Sequence, residues 1–213
     1  HIAQKRNMRV TMGAWLDTKH HENVEQIGLL QQAILEGLVE PTALIGNEVL
    51  LFKRMSFGAL SMYLDLAKRT LPEEVAVTTA EDATVLLENP KLIDAQRHIV
   101  GMHHYPFSHG VHINDALQDF IDHYNRIKAL SHGKRVVVYE TGWPTSGGSV
   151  GQAVASVENF LRYHREFAAW AHENEVEAYL FQLINEPWKA QFGNPYEAHW
   201  GLRNEDGSHK LLT

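Results

Sequence analysis

None of the 213 residues is a cysteine. That removes disulfides, thiolate nucleophiles and thiolate metal sites together, and it leaves the redox compartment open. Positive charge is also scarce: 19 Lys and Arg stand against 26 Asp and Glu, a formal net charge of -7. Nucleic acid is held largely by cations that neutralise phosphates, so it is not an expected partner. No apolar run approaches the roughly 18 residues that span a bilayer, and His1 to Arg9 lack the apolar core of a signal peptide. Neither a membrane partner nor an export signal is therefore expected in this chain. Gly147-Gly148 follow Ser146 without the lysine and strand-to-helix order of a phosphate loop, so Thr145 to Gly151 reads as a plain loop. No linker, low-complexity tract or internal repeat breaks the sequence, and one domain over residues 1–213 is the expectation.

What is present is an ordinary globular composition, 44% hydrophobic and 21% charged. The apolar pattern alternates between short β-rich runs and longer stretches with helical spacing, the signature of βα units around a parallel sheet. The strand-like runs are Arg9 to Trp15, Thr42 to Val49, Glu74 to Ala80, Ile99 to Tyr105, Arg135 to Trp143 and Glu177 to Ile184. They are nearly all apolar, as strands covered on both faces should be. Helices are expected over His21 to Leu38, Ser56 to Thr70, Ala83 to Ala95, Ile113 to His132 and Ala153 to Asn174, while Ile2 to Asn7 reads as the tail of another. Ala116, Leu117, Phe120, Ile121, Tyr124 and Ile127 recur at helical spacing and predict a stripe facing the sheet. Six units in 213 residues allow about 35 residues each, which suits a βαβ unit. A closed (β/α)8 barrel usually needs about 250, so the count implies an open sheet or a barrel with units missing.

Three glutamates stand at or just beyond the C-terminal ends of these strands, where parallel βα folds assemble their sites: Glu48, Glu140 and Glu186. A carboxylate that ends an apolar run such as Val136-Val-Val-Tyr-Glu140 is costly to desolvate unless it is paired or hydrogen-bonded. Structural ion pairs across the sheet are the plain alternative to function. Two converging carboxylates, however, can cleave an acetal, one protonating the leaving oxygen while the other attacks or activates water. Trp15, Tyr105, Trp143 and Trp188 lie at strand ends, where flat rings could stack on sugars, although any one of them could equally be core. The chain has 14 histidines, among them the adjacent pairs His20-His21 and His103-His104. Neighbours on a strand point to opposite faces, so His103 and His104 should not chelate one metal. One should face the C-terminal mouth or the interior, and the other should lie under a helix. No metal and no cofactor are expected.

Val138-Tyr-Glu-Thr-Gly-Trp-Pro-Thr-Ser146 and Leu44-Ile-Gly-Asn-Glu-Val49 resemble the nucleophile and acid/base motifs of glycoside hydrolase family 17, the β-1,3-glucanases and related transglucosylases. Further matches are Val10-Thr-Met-Gly-Ala-Trp-Leu16, Val77-Thr-Thr-Ala-Glu81, His104-Tyr-Pro-Phe107, Phe181-Gln-Leu-Ile-Asn-Glu-Pro-Trp-Lys189 and Trp200-Gly-Leu202, with wording nearer the microbial branch. The resemblance implies an α/β, TIM-barrel-like parallel architecture of about six βα units, a truncated or incomplete (β/α)8 barrel, because the family carries two further units before the strand at Arg9 to Trp15. It implies a retaining enzyme acting on β-glucan, β-1,3-linked or mixed-linkage, by hydrolysis or transglucosylation. Glu48 would be the general acid and base, Glu140 the nucleophile, and Asn47 a partner for the sugar 2-hydroxyl. Tyr105 would hold Glu140, while Glu186 and Lys189 would meet sugar hydroxyls. In a retaining mechanism the two carboxyl groups lie about 5 to 5.5 Å apart. The other class left open is a carbohydrate-binding remnant without turnover. Uncovered strands at the ends of the sheet call for cover by a second copy, a separate fragment of the same polypeptide or a local rearrangement, of which self-association is the favoured expectation, and the substrate class favours a secreted or periplasmic location.

Overall fold

The computed structural model describes residues 2–210. A short helix, α1 (Ile2–Lys5), precedes β1 (Met12–Ala14), α2 (His20–Leu35), β2 (Thr42–Asn47), α3 (Phe57–Thr70) and β3 (Ala76–Asp82). Next come α4 (Ala83–Glu88), α5 (Pro90–Ala95), β4 (Ile99–His103), α6 (Ala116–Leu130) and β5 (Arg135–Thr141). The chain continues through β6 (Ser149–Val150), β7 (Ala153–Val154), α7 (Val157–Glu173), β8 (Ala178–Leu180) and two 3-10 turns, Pro187–Phe192 and Pro195–Ala198. Six strands form one sheet in the order β1-β2-β3-β4-β5-β8, which is the order of the chain. β1 pairs with β2, β2 with β3 and β5 with β8 in parallel: Met12 lies opposite Ala43, Thr42 opposite Ala76 and Val138 opposite Ala178. This is the alternating βα architecture expected from the sequence.

By internal contacts the chain divides into two compact units. The first comprises residues 1–102 and 126–137, and the second 103–125 and 138–213. In the first unit β3 is buried along its whole length, consistent with a strand covered on both faces. Leu30, Ala43, Ile45, Leu60, Leu64, Val77 and Leu86 form part of its core. The second unit is centred on aromatic rings, with Phe107 against Trp143 at 5.3 Å, Phe107 against Tyr196 at 5.1 Å, and Phe120 against Phe167 at 4.9 Å. The predicted stripe of α6 holds at Ala116, Phe120, Tyr124 and Ile127, all of them buried.

Several boundaries differ from the sequence reading. The helix expected over Ala83 to Ala95 is two helices, because Asn89 leaves helical geometry and Pro90 starts a new first turn. Asp82 caps the first of them by accepting from the Thr84 N–H at 2.8 Å. Ser56 and Ser156 cap α3 and α7 in the same way. β1 and β8 are only three residues long and partly exposed, because each has a neighbour on one side only. The segment Thr145 to Gly151 is not a plain loop: its last part enters a two-stranded antiparallel hairpin, β6 with β7.

Candidate active site

In the first unit, Asn47 closes β2 opposite Ala80 of β3, and Glu48 follows in the left-handed region at φ 52°. A non-glycine residue there costs on the order of 1 kcal/mol, which the surrounding structure has to offset. The Glu48 N–H donates to the Ala80 carbonyl at 2.8 Å, and Gly46, at φ 78°, lies where the register of β2 against β3 shifts just before the strand ends. Glu81, fully buried at the end of β3, accepts from the Leu50 N–H at 2.8 Å and the Leu51 N–H at 3.2 Å. Glu81 therefore anchors the turn that carries Glu48. The sequence reading quoted this residue in a motif but gave it no role; the signal was a carboxylate ending the run Val77-Thr-Thr-Ala80. Trp15 stands 56% exposed, with the Arg54 guanidinium 5.5 Å from its ring centroid. Arg54 is tied to Asp17 at 2.7 Å and also lies 5.9 Å from the exposed Phe52 ring. Arg54 and Phe52 are thus further candidates for an aromatic platform.

In the second unit, Glu140 is the penultimate residue of β5. The Tyr105 hydroxyl donates to its Oε2 at 2.5 Å, and the fully buried His103 places Nδ1 3.7 Å from the same oxygen. His104 turns the other way and bonds Asp119 of α6 at 2.7 Å through Nε2. The alternation expected for this histidine pair is therefore present: His103 lies beside Glu140 and His104 under the helix. Burial opposes ionisation of Asp119, but the His104 hydrogen bond, with His123 and His109 nearby, holds its carboxyl below the usual range.

Beneath Glu140, the Thr141 hydroxyl donates to the His104 carbonyl at 2.7 Å and accepts from the buried Tyr163 hydroxyl at 2.6 Å. Burial pushes the Tyr163 phenol above its ordinary range, so this donor stays protonated. Gly142 comes next because nothing else fits: a Cβ there would lie 2.3 Å from the Phe181 carbonyl oxygen. Gly201 is as tightly enclosed, its Cβ position 2.2 Å from the Asn185 nitrogen.

Trp143 does not offer a stacking face. It is fully buried against Phe107 and Tyr163, and its indole N–H donates to the Val154 carbonyl at 2.9 Å. Trp188 is 55% exposed, beside Lys189, whose ammonium lies 4.6 Å from the Phe181 ring centroid and 5.5 Å from that of Trp188. Lys189 also forms an ion pair with Glu186 at 2.5 Å, so these two predicted sugar-binding residues neutralise each other locally.

Parallel βα order with glutamates at strand ends defines a TIM-barrel-like domain of the glycosidase kind. The chain belongs to the family described as the BtgE/BtgC glycoside hydrolase domain, which matches residues 1–201. Among its relatives is glucan endo-1,3-beta-glucosidase btgC of Emericella nidulans, 25% identical over 234 residues, covering 92% of this chain and 34% of that protein. The chain spans about a third of the length of the curated relatives first matched. Among solved structures, the glycoside hydrolase family 17 beta-1,3-glucanosyltransferase of Rhizomucor miehei is 25% identical, with a TM-score of 0.86 over 98% of this chain and 76% of that one. An endo-laminarinase from Formosa, at 17% identity and a TM-score of 0.83 over 99% of this chain and 70% of that one, shares the fold. The family 17 resemblance and the TIM-barrel-like class are both borne out.

Proposed function

We propose that residues 1–213 act as one retaining glycosidase domain that cleaves β-1,3-linked glucan, with mixed-linkage glucan as the second substrate to assay. The observation that carries this reading is the short Tyr105 to Glu140 hydrogen bond beside His103 at the C-terminal end of a parallel strand. A short hydrogen bond of this kind to a carboxylate fixes the direction in which its oxygens point. Glu140 attacks the anomeric carbon and expels the glucosyl oxygen, to which Glu48 gives a proton. The resulting glycosyl-enzyme ester is then opened by water that Glu48 deprotonates, with net retention. Asn47 meets the 2-hydroxyl, Trp15 and Trp188 offer stacking faces, and Glu186 and Lys189 orient hydroxyls. A complex of the Rhizomucor relative with laminaritriose supports β-1,3-glucan as the ligand class.

A sugar hydroxyl in place of water would give transglucosylation, a reading favoured by the glucanosyltransferase among the relatives. Product analysis on laminari-oligosaccharides separates the two: shorter sugars alone mean hydrolysis, longer ones transfer. A Glu140→Gln variant with full turnover would remove the assigned nucleophile. Glucan binding without turnover by the intact chain would instead establish a binding remnant. Self-association is part of the same proposal, because β1 ends the sheet and Met12 on it is exposed. A solution mass equal to one 24.2 kDa chain would overturn it.

A further inference from the structure

Three side chains of the second unit, none of them given a role above, turn their donor atoms toward one another. His104 Nε2 lies 2.7 Å from Asp119 Oδ2, and His123 Nδ1, one helical turn beyond Asp119 on α6, lies 3.6 Å from Oδ1. One ligand atom from each residue falls within 4.8 Å of the others. We propose that His104, Asp119 and His123 bind a divalent transition-metal ion of the zinc type at a structural site that ties the end of β4 to α6.

The donor chemistry selects the ion. Two imidazoles and one carboxylate suit Zn²⁺ or Co²⁺ far better than Mg²⁺ or Ca²⁺, which take oxygen ligands. The spacing is close to what a tetrahedral ion requires. Bonds of roughly 2.0 to 2.1 Å set neighbouring ligands about 3.3 Å apart, so the His104–Asp119 pair opens slightly to admit the ion. A carboxylate only accepts, so His104 Nε2 carries the hydrogen in the ion-free pair; on binding, that hydrogen moves to the other ring nitrogen, Nδ1, by exchange through solvent, while Nε2 and the carboxylate donate electron pairs to the metal. His123 Nδ1, now donating to the Asp119 carbonyl oxygen at 2.9 Å, gives up that contact for the ion, and its hydrogen moves to Nε2 by exchange through solvent. Its ring stacks on His104 with centroids 4.1 Å apart, so it must also turn to bring its lone pair onto the ion. His104 is fully buried while Asp119 and His123 keep partial exposure, so the ion approaches from the helix side. Water or the exposed His109, stacked 4.8 Å from His104, completes the tetrahedron.

The test uses the full chain stripped with chelator and dialysed. Titration with Co²⁺ should give one equivalent with the intense visible bands of a tetrahedral site, and Zn²⁺ should displace the colour and raise the thermal midpoint. His123→Ala and Asp119→Asn, each first shown to melt cooperatively without metal, should weaken Co²⁺ binding at least tenfold. A His20→Ala/His21→Ala variant, which removes another histidine pair, should bind as the parent does. Absence of tetrahedral bands, or affinity unchanged in His123→Ala and Asp119→Asn, would overturn the proposal.

Discussion

His164 sits on α7, buried, with Nδ1 2.7 Å from the Phe160 carbonyl and Nε2 without a hydrogen-bond partner among the described residues. Burial drives its imidazole from the ordinary value near 6.5 down to about 4; the Phe160 hydrogen bond opposes the shift and Lys210 adds to it. Between those two values the unfolded chain binds the proton that the folded chain refuses, so stability is full above 6.5 and falls as pH drops toward 4. At about 1.4 kcal/mol per unit, the loss between pH 7 and pH 4.5 amounts to about 2 kcal/mol from this one ring. His164→Leu removes the titration and the unpartnered nitrogen while giving up one hydrogen bond, so at pH 7 it should lie within about 1 kcal/mol of the parent. Urea unfolding followed by tryptophan fluorescence reads the relevant unit, since Trp143, Trp170, Trp188 and Trp200 belong to it and only Trp15 does not. The parent should lose about 2 kcal/mol more than the variant on going from pH 7 to pH 4.5. Parallel losses in the two proteins would refute the reasoning.

Gly142→Ala forces a methyl group against the Phe181 carbonyl and should cost about 3 kcal/mol or more, seen as a collapsed thermal midpoint or insoluble protein. Thr141→Val leaves the Tyr163 hydroxyl and the His104 carbonyl without their shared partner, and should lower unfolding free energy by about 1 to 3 kcal/mol in denaturant titrations. Tyr105→Phe removes the donor to Glu140 Oε2; with the carboxylate partly exposed, kcat on laminarin should fall by about tenfold, and an unchanged kcat would detach Tyr105 from the reaction. His103→Asn should lower kcat on laminarin while leaving the far-UV spectrum intact, since the ring lies 3.7 Å from the same oxygen.

The strands were readable because a two-sided sheet leaves a mark that survives in sequence: Ile99-Val-Gly-Met-His103 and Ala76-Val-Thr-Thr-Ala80 are buried at every position. Where chemistry depends on backbone direction just beyond a strand, the mark fades. Trp143 and Trp188 look alike in sequence, yet one is fully enclosed and the other open, because an aromatic in a turn has no periodicity to fix its side. Glu81 went without a role for a related reason, since its partners are two backbone N–H groups some thirty residues away. The break at Asn89 was legible in Pro90 itself, whereas β6 and β7, two residues each, carry too little pattern to be seen. The histidine alternation succeeded because it rests on strand geometry alone.

At Gly142 and Gly201 one stretch of main chain rests directly on another, leaving no volume for even a methyl group. Those positions are closed to variation, so laboratory evolution of this domain would gain nothing by randomising them. The adaptable positions are Trp15 and Phe52 in the first unit and Trp188 and Phe192 in the second, whose exposed side chains can be exchanged without disturbing any backbone contact of this kind.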